Sequence, residues 1–327
     1  MATANQIKAL LKSHVNGDDE KFITIAMQVA AHEAKHGHTK LAQELKQLIN
    51  EAKTRKTKHS NVLSIVRTSK ELDGILSHTE PLINMNDLTF ADNQSKTFKR
   101  IIQEYKQQEK LKSYNLEPRR KILLYGPPGT GKTATASALA QELQLPLFTI
   151  RLDGLITKFM GETASKLRLV FDAIRSTKGL YFFDEFDAIG SDRMSPNDVG
   201  EIRRVLNSFL QFLEQDHSDS FIVAATNYKK LLDPALFRRF DDVLNYDLPE
   251  KTQIKTLINN KLAEFSLKLR EQEWQKIEKI ADGLSHAEIT RACEDAAKHM
   301  ILEGVASLSF QNIADMLEDR NKAKSNV

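Results

Sequence analysis

Residues Gly126–Thr133 read GPPGTGKT and have the residue types and spacing of a phosphate-binding loop. The glycines would let backbone N–H groups approach a phosphate, and a helix directly after the loop would add a favourable dipole. Lys132 can neutralise the β- and γ-phosphates of ATP, and the Thr133 hydroxyl can bind Mg²⁺. The whole loop is therefore a candidate ATP site, made of Gly126, Pro127, Pro128, Gly129, Thr130, Gly131, Lys132 and Thr133.

Two acidic residues follow an apolar segment farther along the chain. Leu180–Phe183 reads LYFF, and Asp184 and Glu185 come next. A buried strand here would bring Asp184 beside the phosphate loop to support Mg²⁺ hydration, while Glu185 would polarise the attacking water. Many strands end in acids, so this pair gains its meaning from the loop that precedes it. Together the two motifs predict hydrolysis of ATP with Mg²⁺ as the cofactor.

An amide and two arginines complete the set of candidate catalytic residues. Asn227 directly follows the apolar run FIVAAT and can hold the attacking water together with Glu185. The alternative is an asparagine that only starts a turn. Arg238 and Arg239 follow in the segment LDPALFRRFD. In a ring they can reach the γ-phosphate of a neighbouring copy, an effect of roughly 10³–10⁵ in kcat. Surface arginines in local salt bridges are the alternative interpretation.

The segments that must position these residues alternate between strands and helices. The pattern predicts strands at 121–125, 146–152, 179–184, 220–226 and 242–248, and helices at 133–143, 163–176 and 199–214. Such alternation is typical of an α/β fold, a P-loop αβα sandwich with a parallel sheet. After Pro249 the apolar spacing is helical throughout, which predicts a separate C-terminal helical lid.

The N-terminal region shows a different pattern, with three short amphipathic stretches that predict a small helical bundle. His32 and His36 have a spacing that can bind metal on a helix, but without a third ligand we favour surface histidines. We divide the chain into an N-terminal domain at 1–52, a linker at 53–85, a nucleotide-binding domain at 86–249 and a lid at 250–327. Residues 62–90 fit either a short β-element or a lead-in strap.

Composition narrows the class of protein. The chain has 327 residues, 41% of them hydrophobic, and a formal net charge of +3. We find no transmembrane segment and no secretory signal, and a single cysteine, Cys293, fits a reducing cytoplasm. The near-neutral charge argues against nucleic acid as a partner, and the basic run at 53–58 fits a solvated linker first and a phosphate-backbone patch second.

The order of the motifs resembles that of AAA-family ATPases over residues of about 86–315. GPPGTGKT, FFDEFDAIG and VAATN…LDPALFRRFD are similar to the family's Walker A motif, Walker B motif and second region of homology. The resemblance implies an αβα domain, a lid and usually a hexameric ring with ATP sites between subunits. Family members usually carry Pro-Gly between the two arginines, which are adjacent here. In the lid, GLSHAEI resembles a family motif, and Ala287 stands where other branches place a sensor arginine, which implies the protein-remodelling branch.

Residues Lys158, Phe159 and Met160 resemble the pore loop with which AAA unfoldases hold an extended polypeptide. The alternative is that Phe159 packs under its own loop. The resemblance implies a ring-forming unfoldase or disassembly machine with a protein client. The N-terminal bundle would then dock a client, an adaptor or a separate protease. The competing hypothesis is a nucleic-acid-linked ATPase, such as a loader or transposition helper, which the basic run supports.

Overall fold

The structure is a computed structural model that describes residues 8, 13, 19–35, 38, 42–43, 45–46, 72, 74–155, 160–186, 198–227, 237–265, 267, 269–304 and 307–325. Contacts divide the chain into two units, residues 1–68 and 69–327. No helix in these described ranges is long and apolar enough to cross a lipid bilayer.

The first unit contains helix α1 at Asp19–Lys35. This helix coincides with the second of the three predicted amphipathic stretches, and Val29 and Ala30 are buried on it. Glu33 is also buried and lies 2.6 Å from Nδ1 of His38. Of the predicted His32 and His36 pair, His36 lies outside the described residues.

The second unit holds a sheet of six strands in the order β1-β3-β4-β5-β2-β6. All neighbouring strands run parallel except β1 and β3, which are antiparallel. The bounds of the elements are β1 Leu76–Thr79, a 3-10 turn Met85–Asp87, α2 Asp92–Lys106, α3 Gln108–Lys112, β2 Lys121–Tyr125, α4 Lys132–Glu142, β3 Leu147–Ile150, α5 Leu152–Leu155, α6 Met160–Ser176, β4 Leu180–Phe183, α7 Asp198–Gln215, β5 Phe221–Thr226, β6 Asp242–Asn245, α8 Lys251–Lys261, α9 Glu271–Ala281, α10 His286–Leu302 and α11 Phe310–Ser325.

The predicted α/β fold is confirmed. Every residue of β4 and β5 is buried, as expected for parallel strands covered on both faces. The predicted strand at 242–248 ends earlier, at Asn245, because its partner β2 ends at Tyr125 and only one further backbone bond forms, from Tyr246 N–H to Tyr125 O at 2.7 Å. Of the two alternatives for residues 62–90, a short β-element or a lead-in strap, the structure shows the β-element: β1 pairs its Leu76 with Ile150 of β3.

The strand order determines where the candidate site residues lie. β2 is paired with β5 through Tyr125 and Thr226, and β4 is paired with β5 through Phe183 and Ala224. The carboxyl ends of β2, β4 and β5 therefore meet at one edge of the sheet, which is where α/β proteins bind ligands. The residues that follow these strands are brought to that edge.

Helices α8 to α11 enclose an apolar core of their own, which includes Trp274, Ile277, Ile289, Cys293 and Leu317. Burial raises the pKa of the Cys293 thiol to about 12, so this cysteine is protonated at neutral pH. A capping box begins α10: Ser285 N–H donates to Oε2 of Glu288 at 2.6 Å, and Glu288 N–H donates to Oγ of Ser285 at 3.3 Å. These two hydrogen bonds make Ser285 the N-cap of α10 and fix the residue at which the helix begins.

A buried ion pair joins the end of α7 to the start of β2, at the amino ends of the parallel strands. The Arg120 guanidinium donates to the carboxylate and the backbone carbonyl of Asp216, and both residues are buried. Ser218 Oγ donates to the same carboxylate at 3.2 Å, and Lys121 Nζ donates to the Asp216 carbonyl at 3.0 Å. The charge of Asp216 is therefore compensated by hydrogen bonds on several sides.

Asp216→Asn should lower the free energy of unfolding by about 3–5 kcal/mol, because it leaves the buried Arg120 guanidinium without its carboxylate. Urea denaturation followed by far-UV circular dichroism measures this change. The matched control is Asp219→Asn, since the Asp219–Lys112 pair is about half exposed and should contribute less than about 1 kcal/mol. Equal losses in the two variants would contradict a special role for the buried pair.

Candidate active site

The phosphate-loop motif forms the connection between β2 and α4. Three of its glycines have positive φ: Gly126 at 149°, Gly129 at 73° and Gly131 at 97°. A Cβ on Gly126 would lie 1.9 Å from the backbone carbonyl oxygen of Tyr246. Because that obstacle is backbone, the loop can follow this path only if residue 126 is glycine.

Lys132 lies on the inner side of the loop. Its Nζ donates to the carbonyl oxygens of Gly126, at 2.7 Å, and Pro127, at 2.8 Å. The Thr130 hydroxyl also donates to Pro127 O, at 2.8 Å, and both Lys132 and Thr130 are buried. The ammonium group thus lies at the first two residues of the loop. The first turn of α4, which follows the loop, adds N–H groups and a dipole that attract an anion.

The two acids after β4 occupy distinct positions. The Thr133 hydroxyl donates to Oδ2 of Asp184 at 3.0 Å, so the last loop residue and the strand-end carboxylate are in contact. Oδ1 of Asp184 accepts from the backbone N–H of Glu185 at 2.9 Å. Glu185 is exposed and has a φ of 50°, a left-handed conformation that costs an ordinary residue about 1–2 kcal/mol. Strain of this kind is often found where a side chain must be directed towards a reaction.

Asn227 lies at the same edge as these acids. It follows Thr226, the last residue of β5, and its side chain is half-buried. β5 is the direct neighbour of both β4 and β2. The topology therefore brings the predicted amide, the two acids and the phosphate loop to adjacent strand ends.

A hydrogen-bonded chain supports the loop from β6, and sequence reasoning did not identify it. The Tyr246 hydroxyl donates to Oγ1 of Thr135 at 2.8 Å, and the Thr135 hydroxyl donates to the carbonyl of Gly131 at 2.9 Å. Burial raises the pKa of Tyr246, so its hydroxyl remains a donor at any ordinary pH. No local pattern links these residues, because the contact depends on β6 pairing beside β2.

The two predicted arginines have different surroundings. Arg239 Nε lies 2.8 Å from Oε1 of Glu214, near the end of α7. Arg238 is exposed and makes no ion pair within the described part of the chain. The ring of Phe237, just before them, meets the ring of Tyr125 edge-on at 6.2 Å between centroids. Phe237 thus packs against Tyr125, the last residue before the phosphate loop.

The predicted pore-loop residues are largely outside the described ranges. Lys158 and Phe159 are not among the described residues, and Met160 is the first residue of α6. The client contact of these residues therefore stays a prediction.

The lid reaches the phosphate loop directly. The Ala287 backbone N–H, in the first turn of α10, donates to the carbonyl of Gly129 at 2.9 Å. A Cβ on Gly129 would lie 2.7 Å from Oγ of Ser285 and 3.3 Å from Cβ of Ala287. The N-terminus of α10 is therefore packed against the loop, and a side chain at residue 129 would collide with it.

Comparison with known proteins agrees with this geometry. Residues 122–248 match the family model described as ATPase family associated with various cellular activities (AAA). An uncharacterized AAA family ATPase of Sinorhizobium fredii, y4kL, is 32% identical over 326 residues, which cover 99% of this chain and 97% of that protein.

Two other similarities extend over shorter parts of the chain. A proteasome-activating nucleotidase of Methanopyrus kandleri is 32% identical over 231 residues, 68% of this chain but only 53% of the nucleotidase. The crystal structure of the FIGL-1 AAA domain superposes with a TM-score of 0.59 and 23% identity, covering 81% of this chain and 93% of that one. The latter similarity concerns the fold alone.

A phosphate loop and a strand-end acid in contact at the edge of a parallel sheet define a P-loop nucleotide-hydrolysing protein. The chain belongs to the AAA family, and its activity is the hydrolysis of ATP.

Gly126→Ala should weaken ATP binding by more than about tenfold, because the new methyl group would displace the loop from the Tyr246 carbonyl. Isothermal titration calorimetry with ATP measures the affinity. Gly74→Ala is the matched control, since a Cβ there meets no atom within 4 Å. Wild-type affinity in the Gly126→Ala protein would show that the close approach does not constrain the loop.

Proposed function

We propose that this chain is a ring-forming protein-remodelling ATPase, an unfoldase or disassembly machine that acts on a protein client. The observation that carries the proposal is the hydrogen bond from Ala287 to Gly129. Because the lid is bonded to the loop that binds phosphate, a rearrangement of the loop during ATP turnover acts directly on α10. A machine that moves a client needs such a link between nucleotide and lid.

The candidate residues at the sheet edge supply the hydrolytic chemistry. In this proposal the loop residues and Lys132 hold the triphosphate, Glu185 acts as the general base and Asn227 positions the attacking water. Thr133 and Asp184 would hold Mg²⁺, mainly through water, and their side-chain oxygens, 3.0 Å apart, are the hard ligands that this ion prefers. When bound, Mg²⁺ neutralises charge on the β- and γ-phosphate oxygens.

The partners in this proposal follow from the family and its relatives. The similarity to proteasome-activating nucleotidases supports a protein client and makes a separate protease a candidate partner. We assign client, adaptor or protease docking to residues 1–52, a lead-in that contributes β1 to residues 53–85, the nucleotide-binding domain to 86–249 and the lid to 250–327. Lys158, Phe159 and Met160 would contact the client in the pore of a cytoplasmic hexamer.

In this proposal Arg238 and Arg239 have different roles. Glu214 holds Arg239 on its own subunit, whereas Arg238 is exposed. We therefore assign the contact with the neighbour's γ-phosphate to Arg238 and the positioning of the segment to Arg239. In the proposed ring, both residues would face the adjacent copy.

Glu185→Gln should bind ATP but hydrolyse it very slowly, because the water-activating carboxylate is gone, and it should trap a protein client. ATPase rates and mass spectrometry of the co-purified material measure the two effects. The double variant with Phe159→Ala should bind ATP equally well and recover less client. Unchanged turnover would remove Glu185 from catalysis, and recovery that depends on DNA would favour the nucleic-acid-linked alternative.

Arg238→Ala should lose ATP hydrolysis by about 10³-fold or more, since the finger stabilises charge in the transition state of the neighbouring site. Mixing it in equal amounts with inactive Glu185→Gln subunits should restore hydrolysis at about one quarter of the interfaces of a randomly mixed ring. Arg239→Ala is the matched control and should retain more activity alone. Failure of rescue at every mixing ratio would argue against a finger that acts between subunits.

A further inference from the structure

Tyr246 is the first residue after β6, and it bears on the phosphate loop at both of its ends. Its backbone carbonyl oxygen lies 1.9 Å from the position of a Cβ on Gly126. Its hydroxyl donates to Oγ1 of Thr135, whose own hydroxyl donates to the carbonyl of Gly131. Tyr246 is 3% exposed and Thr135 is 1% exposed, so water does not compete for these two hydrogen bonds. One residue outside the motif therefore constrains both the first and the last glycine of the loop.

The Gly131 carbonyl accepts two hydrogen bonds from the same residue. The Thr135 backbone N–H donates to it at 2.8 Å, and the Thr135 hydroxyl donates to it at 2.9 Å. A threonine hydroxyl has one proton and can rotate. Because Oγ1 of Thr135 accepts the proton of Tyr246, its own proton is directed at the Gly131 carbonyl. The tyrosine thus fixes the direction of the second hydrogen bond.

These hydrogen bonds hold the peptide that joins Gly131 to Lys132. In a trans peptide the C=O and the N–H point in opposite directions. Since the Gly131 carbonyl is bonded into the first turn of α4, the Lys132 N–H points out of the N-terminus of that helix, where an anion is attracted. Gly131 has a φ of 97°, and a Cβ there would meet no atom within 4 Å. Side-chain packing therefore does not restrain this peptide at Gly131, and its orientation depends on the hydrogen bonds.

We propose that Tyr246 is a positioning residue for ATP hydrolysis, which acts through the Thr135 hydroxyl to keep the Lys132 N–H directed at the phosphates. This inference rests on the phosphate loop holding the phosphates of ATP. A binding site whose donors are already oriented has less ordering left to do when its ligand arrives. Tyr246 therefore contributes to the affinity for the nucleotide without touching it.

The test measures the binding of ADP to the full-length chain by isothermal titration calorimetry. Tyr246→Phe removes only the hydroxyl and should weaken ADP binding by about 3- to 10-fold, the range for one neutral hydrogen bond. Thr135→Val should weaken it by at least as much, and Thr135→Ser, which keeps a hydroxyl, should lose less. The double variant of Tyr246→Phe and Thr135→Val should bind ADP as Thr135→Val does, because the tyrosine acts through the threonine.

Tyr181→Phe is the matched control. Tyr181 is also buried, and its hydroxyl donates to the carbonyls of Ala173 and Thr177, at 2.9 and 3.0 Å, in α6 and the turn after it. This variant should lose folding stability as Tyr246→Phe does but keep the wild-type affinity for ADP.

Steady-state ATPase rates give a second measurement that a general loss of stability would not reproduce. Tyr246→Phe should raise KM for ATP and leave kcat within about twofold, because the Lys132 N–H contacts the phosphates in both the ground state and the transition state. A fall in kcat at an unchanged KM would contradict this role.

An unchanged ADP affinity in Tyr246→Phe would overturn the proposal. Equal losses of affinity in Tyr246→Phe and Tyr181→Phe would also overturn it, because they would indicate a general effect on the fold. Additive losses in the double variant would show that Tyr246 does not act through Thr135. If the wild type itself bound no ADP, the phosphate loop would not be the nucleotide site, and the proposal would fall together with that site.

Discussion

The parallel pairing of β2 with both β5 and β6 is the constraint on which the rest of the second unit depends. It places the Tyr246 carbonyl so close to residue 126 that only glycine fits there. It also brings the Tyr246 hydroxyl to Thr135 and so secures the first turn of α4. The phosphate loop is therefore shaped as much by the neighbouring edge strand as by its own glycines. Its N–H groups can remain directed at an anion because the surrounding backbone leaves no other path.

Local patterns were sufficient to predict most of this architecture. β2, β4 and β5 are apolar runs bounded by polar residues, and the loop and the acids Asp184 and Glu185 each follow such a run directly. The contact between Thr133 and Asp184 then results from β2 and β4, the two parallel neighbours of β5, ending at the same level. What a strand pattern cannot show is where pairing stops, and β6 is shorter than expected because its partner ends where the loop begins.

The parts that could not be predicted all depend on segments that are distant in the chain. Glu214 and Arg239 are joined only because α7 returns to the segment before β6. The hydrogen bond from Ala287 to Gly129 requires the lid to fold back onto the loop. β1 was ambiguous because its residues, LSHT, carry little alternation of apolar and polar side chains, and its place is decided by the exposed edge of β3. In each case the sequence specified the residue but not its partner.

Tyr125 links two features that have been described separately. Its backbone leads directly into Gly126, and its ring meets Phe237, which immediately precedes the arginine pair. In a ring of the proposed kind, each subunit contributes an arginine to its neighbour. A shift of that subunit's own phosphate loop would move Tyr125 and, through Phe237, the arginine pair. Successive sites would then be coupled in time, with one copy completing its reaction before it assists the next. A single aromatic contact would in this way impose an order on events around the ring.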